Sequence, residues 1–143
     1  MINYIQSFYE SVGKYGCYFL LLLKMAEKKI KKKIDLIETL VYAEKKDWVY
    51  YNFDNHKDPD NFYVKNPSML FSYLTGKKYH VRKETADYQS KENELEILFY
   101  SLSDKNAELG IGHFALADYD TLQGSNTVKN GKVYSKRIFK EET

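Results

Sequence analysis

Apolar residues recur every three or four positions through the first half of the chain and alternate with polar ones through much of the second, so helices are expected first and strands afterwards. Ile5, Phe8, Tyr9 and Val12 form one such stripe behind Asn3 and Gln6, which have the character of an N-cap and capping box, and Gly13 supplies a stop. A second helix is expected from about Cys17. Its first two turns are apolar all round, as in a buried helix, before it turns basic at Lys24, Lys28 and Lys29. Ile34, Ile37, Leu40 and Val41 share a face, with Asp35 and Glu38 in the first turns, which predicts a third helix from Ile34 to Lys45.

Trp48 to Tyr51 reads as a short strand, and the polar, acidic stretch from Phe53 to Lys65 as a long surface loop. Asn66-Pro67 is a cap followed by proline at the first helical position. Met69, Leu70, Tyr73 and Leu74 then fill one face until Thr75-Gly76 ends the helix. Strands are expected at Lys78 to Lys83, Glu94 to Leu102 and Gly112 to Asp118, followed by a hairpin with a type I′ turn at Asn130-Gly131. The class is therefore α+β with a largely antiparallel sheet, expected as one domain over residues 1–143, with no internal repeat and no linker.

Composition narrows the function classes. A net charge of +2 is too small to imply a nucleic-acid partner, although an aromatic share of 16%, mostly tyrosine, gives material for a peptide or sugar groove as well as for core packing. One cysteine forms no internal disulfide. The apolar stretch from Cys17 to Leu23 is too short to span a bilayer and no basic residue precedes Lys14, so neither a membrane span nor a signal peptide is expected, and the expected location is the cytoplasm, with release on lysis as a further route. His56 lies among Asp54, Asn55, Asp58 and Asp60 without the spacing of a calcium loop, His80 reads as a surface residue, and neither a metal nor another cofactor is expected. The run Lys28-Lys29-Ile30-Lys31-Lys32-Lys33 fits a solvated helix end and, as a rival use, an anionic polymer.

The candidate chemistry lies in Cys17 and His113. A thiol at a helix N-terminus feels the positive end of the helix dipole, which favours thiolate, and a distant histidine completes a nucleophile and base pair. The competing use of Cys17 is as a small buried hydrophobe. Alternation along the strand after Gly112 puts His113, Ala115 and Ala117 on one face and Phe114 and Leu116 on the other, the apolar face being expected toward the core.

Gly16-Cys17 opening a buried helix, the helix and strand pair from Leu70 to Lys78, and Gly112-His113-Phe114-Ala115-Leu116 opening a strand together resemble the papain-like cysteine peptidases, in particular bacteriocin-processing and cell-wall peptidases. The segments Tyr119 to Leu122 and Gly124 to Val128 also resemble an uncharacterised bacterial family carried on plasmids and prophages. The first resemblance implies N-terminal helices packed on a C-terminal sheet, Cys17 as nucleophile, His113 as general base, and a polar residue on the following strand that orients the imidazole. Asp120 is preferred for that last role, although it lies only seven residues beyond His113; a hairpin centred near Tyr119 instead sets Asn126 across from His113. Gln6 is the candidate oxyanion donor, with helix capping as its other use. The expected activity is cleavage of an amide bond in a peptide or peptidoglycan-like substrate. The alternative is a catalytically silent domain of plasmid or prophage origin that binds a peptide, glycan or protein.

Overall fold

A computed structural model describes residues 16–51, 62–120 and 125–142. The expected helix before Gly13, Gln6 and His56 lie outside the described residues. The chain divides into two compact units, Met1–Gly76 and Lys77–Thr143. Helices dominate the first and antiparallel strands the second, an α+β protein.

In the first unit, helix α1 (Cys17–Ile30) buries Phe19, Leu21, Leu22, Leu23, Met25 and Ala26. Leucine, alanine and methionine favour the helical state, and the residues that follow in the helix are basic. It ends at Lys31, whose left-handed backbone (φ 58°) lets its N–H reach the Glu27 carbonyl, while the Glu27 carboxylate accepts the Ile34 N–H at 2.8 Å and ties down the connection. Helix α2 (Leu36–Lys45) starts two residues later than the apolar stripe predicts, because the Asp35 carboxylate caps it by accepting the Glu38 N–H. Its buried face is Thr39, Leu40 and Ala43, whereas Ile37 and Val41 are exposed, a rotation away from the expected stripe.

Strands β1 (Val49–Tyr51) and β2 (Phe62–Val64) form an antiparallel ribbon with Tyr50 opposite Tyr63. The second strand corrects the end of the expected loop. Phe62 is buried edge-on against Phe19, with ring centroids 5.6 Å apart, and that contact together with pairing to β1 gives the short segment its strand geometry. Helix α3 (Pro67–Thr75) follows the sequence signals closely: Asn66 accepts the Met69 N–H at 3.1 Å, proline opens the first turn, and Gly76 (φ 71°) closes the helix. Leu70 and Phe71 are fully buried, and α3 packs on α1.

The second unit is a four-stranded antiparallel sheet, in the order β3 (Tyr79–Thr85), β6 (Lys132–Glu141), β4 (Glu94–Ser101), β5 (His113–Ala115). Two short helices decorate it, α4 (Asp104–Glu108) and α5 (Asn126–Asn130). The first escaped the sequence reading although Ser103 caps it by accepting the Asn106 N–H. The second replaces the expected type I′ hairpin: Ser125 caps a helical turn that runs through Asn130, and Gly131 has φ −95°, not the positive value that such a turn requires. Gly131 is needed for closeness instead, since a Cβ there would overlap backbone atoms of Ser101 and Thr127.

Register sorts the side chains of this sheet onto two faces. One carries Arg82, Glu84, Glu94, Glu96, Leu98, Lys136 and Ile138; the other carries Lys83, Ile97, Phe99, Phe114, Ser135, Arg137 and Phe139. On the first face, the Glu94 carboxylate, 1% exposed, accepts from the Lys91 N–H, the Tyr88 hydroxyl and the Arg82 guanidinium, and Arg82 also holds Glu84 at 2.9 Å. These donors, the Lys91 N–H first, hold the Glu94 carboxyl down at about 2, and the carboxylates of Glu84 and Glu94 keep the Arg82 guanidinium charged. The connection between β3 and β4 is thereby fastened over the sheet, with Lys136 Nζ donating to the Tyr88 carbonyl at 2.8 Å.

Candidate active site

The second unit's sheet edge builds a histidine–carboxylate pair. Gly112 precedes it where the chain enters β5, and a Cβ there would run into the Tyr100 carbonyl and the Phe99 ring, so only glycine fits. His113 and Ala115 then point inward, opposite Tyr100 and Leu98 of β4, and Phe114 lies half-exposed on the reverse side. This corrects the expected facing: the histidine side is the buried one. Leu116 in turn is buried as the strand gives way to a turn.

That turn decides the geometry. Leu116 and Tyr119 exchange backbone hydrogen bonds, so Ala117 and Asp118 form the reversal. Continued by one step, the register sets Asp120 beside Ala115, on the side that His113 shares. The His113 Nε2 and Asp120 Oδ1 are 2.6 Å apart, with the two side chains only 9% and 11% exposed. An ionised carboxylate only accepts, so the proton of this bond belongs to Nε2, and a contact so short and so sheltered has the form of a charge-assisted hydrogen bond. The other carboxylate oxygen accepts the Ser125 N–H at 3.1 Å. Ser125 thus has two tasks, since its hydroxyl caps α5 by accepting the Val128 N–H.

Of the residues singled out in the sequence, His113 and Asp120 are brought together. Asn126 is not set on a strand across from His113. It sits exposed in the first turn of α5, its amide oxygen accepting from Asn130, because the reversal falls two positions earlier than a hairpin centred near Tyr119. Cys17 is the first residue of α1 in the other unit, a half-buried free thiol behind Gly16, where no side chain caps the helix and no acidic residue occupies the first turn. The position is the one expected from the dipole argument. Ser125 and Gly112 were missed as supports of the pair, although Ser125 three residues ahead of Val128 is a recognisable capping signal.

Among the described residues no group of histidine, cysteine and acidic side chains is arranged to hold a metal ion, and no helix is long and apolar enough to cross a membrane. His80 is exposed, and so are Lys28, Lys29, Lys31, Lys32 and Lys33. The family model described as "Protein of unknown function, DUF261" matches residues 3–141, and the chain belongs to that family. Neither the curated proteins nor the solved structures provide a match.

Proposed function

We propose that the protein is a papain-like thiol hydrolase that cleaves an amide bond in a peptide or a peptidoglycan cross-link. The observation that carries this reading is the 2.6 Å bond between His113 and Asp120. A general base needs a third group that fixes its tautomer and orientation, and a buried carboxylate on one ring nitrogen does so. In this reading His113, oriented by Asp120, is the base that takes the proton of the Cys17 thiol. The thiolate attacks the amide carbonyl, the tetrahedral intermediate collapses as the imidazolium returns its proton to the leaving amine, and water cleaves the thioester to a carboxylic acid and regenerates the thiol.

The test is the rate of Cys17 alkylation by iodoacetamide against pH, in the native protein and in His113→Ala and Asp120→Ala. A single thiol makes the labelling unambiguous. The expected result is rapid labelling at neutral pH, slowed at least tenfold in His113→Ala. Labelling that follows the ordinary thiol curve in all three proteins would overturn the proposal.

In that case a catalytically silent binding module, of the plasmid or prophage kind considered above, is the reading to pursue. One observation favours it independently. Tyr50 and Tyr63 are exposed partners on the ribbon of the first unit, with stacked rings 5.2 Å apart, and offer a flat aromatic surface to a peptide, glycan or protein.

A further inference from the structure

The two faces of the second unit's sheet arrange their charges differently. Where Arg82 lies, cations meet carboxylates: Arg82 with Glu84 and Glu94, and Lys136 with Glu96 at 3.6 Å. On the reverse face Lys83 and Arg137 are direct partners across β3 and β6. Like charges placed directly opposite one another destabilise a sheet. Lys83 forms no ion pair among the described residues. The arginine is oriented, its Nη1 donating to the buried Ser135 hydroxyl at 3.0 Å and its guanidinium lying 5.3 Å from the Phe114 ring centre.

Both cations line an open cleft of about 490 Å³ that is formed within this unit. The rings of Phe99 and Phe114, 4.9 Å apart, supply its apolar lining. Helix α4 contributes carboxylates: Asp104, which accepts the Tyr134 hydroxyl at 2.6 Å, and Glu108. Two cations, an aromatic surface and an acidic helix in one concavity of this size are complementary to a small ligand with three parts. These are an anionic group, an apolar body and a hydrogen-bond donor.

We propose that this cleft binds an α-carboxylate with an apolar side chain, as carried by a free amino acid or by the last residue of a peptide. The carboxylate lies against Lys83 and Arg137, the side chain rests on Phe99 and Phe114, and the ammonium or amide N–H faces Glu108. The inference does not depend on hydrolysis, because binding is read without turnover. It is tested by calorimetric titration of the full-length protein with phenylalanine, N-acetylphenylalanine, glycylglycylphenylalanine and N-acetylphenylalaninamide. Carboxylate ligands are expected to bind and the amide to bind at least tenfold more weakly. Lys83→Gln, an exposed position whose loss leaves the sheet intact, is expected to weaken the carboxylates about tenfold, and added salt to do so progressively. Tighter binding of phenylalanine than of the tripeptide assigns the cleft to a free amino acid, and the reverse order to a peptide C-terminus; either order supports the proposal. Saturation by the amide as readily as by the acid, equal affinity in Lys83→Gln, or no saturable binding at millimolar ligand would each overturn it.

Discussion

The first unit keeps its polar chemistry at the ends of its helices, in the caps at Asp35 and Asn66, and apart from Thr39, whose hydroxyl donates to the Asp35 carbonyl, it buries apolar and aromatic side chains such as Phe19, Leu21, Leu22, Leu40, Leu70 and Phe71. The second unit carries polar groups inward: Glu94, Ser101, His113 and Ser135 are all buried. The difference teaches where each is vulnerable. An apolar interior depends on volume, and its losses scale with the cavity left behind. A polar interior depends on completed partnerships, so that removal of one atom exposes a buried donor or acceptor and changes of pH reach the centre of the fold.

The sharpest break in this contrast is expected at Phe71, fully buried in the first unit. Phe71→Ala should cost about 3–5 kcal/mol, read from urea unfolding monitored at several pH values, with a loss that does not vary with pH. In the second unit Gly112→Ala is expected to cost about 1–3 kcal/mol, because the new methyl group collides with the Tyr100 carbonyl and the Phe99 ring. The same variant should displace β5, visible as slowed Cys17 labelling if His113 serves the thiol. Ser125→Ala removes the α5 cap and should cost about 1 kcal/mol, yet it keeps the backbone N–H that holds Asp120. Proline at that position would remove the N–H as well, and the comparison of the two variants isolates the bond to Asp120.

The mildest effect near neutral pH concerns Glu94. Its folded-state pKa, about 2, lies below the value of about 4.3 for an unfolded glutamate, so its contribution is fully present above the unfolded value and disappears as the pH falls through the folded one. The urea midpoint of the native protein is accordingly expected to decline from pH 5 to pH 2. In Glu94→Gln the starting midpoint should be lower and the decline shallower; parallel curves would remove Glu94 from the account of acid sensitivity.

Sequence and structure agree best where the signal is local. Asn66, Pro67 and Gly76 each act on their own few residues, so the bounds of α3 were legible, as was the start of α1 at Cys17. Agreement weakens where the outcome rests on partners elsewhere in the chain. Phe62-Tyr63-Val64 becomes a strand through β1 and Phe19, which no window around it contains. Alternation separates the two sides of β5 but cannot say which faces inward; Tyr100 and Leu98 decide that. Asn130-Gly131 has the composition of a hairpin turn, and the Ser125 cap overrides it by committing the preceding residues to a helical turn. For the candidate site, Asp120 was legible as the companion of His113, whereas the reason was not: a reversal at Ala117 and Asp118, two positions before the centre that favoured Asn126.

The reversal between Leu116 and Tyr119 also bears on how the histidine–carboxylate pair tolerates change in the chain. Only seven positions separate His113 from Asp120, so closing the loop between them costs little entropy compared with uniting residues from distant parts of the sequence. The pair is a local possession of its segment, and insertions far from it leave its geometry alone. Within the turn the opposite holds. One residue added between Ala117 and Asp118 would shift the returning chain by a single position and swing Asp120 to its far side, so this short reversal is a place where the pair does not tolerate lengthening.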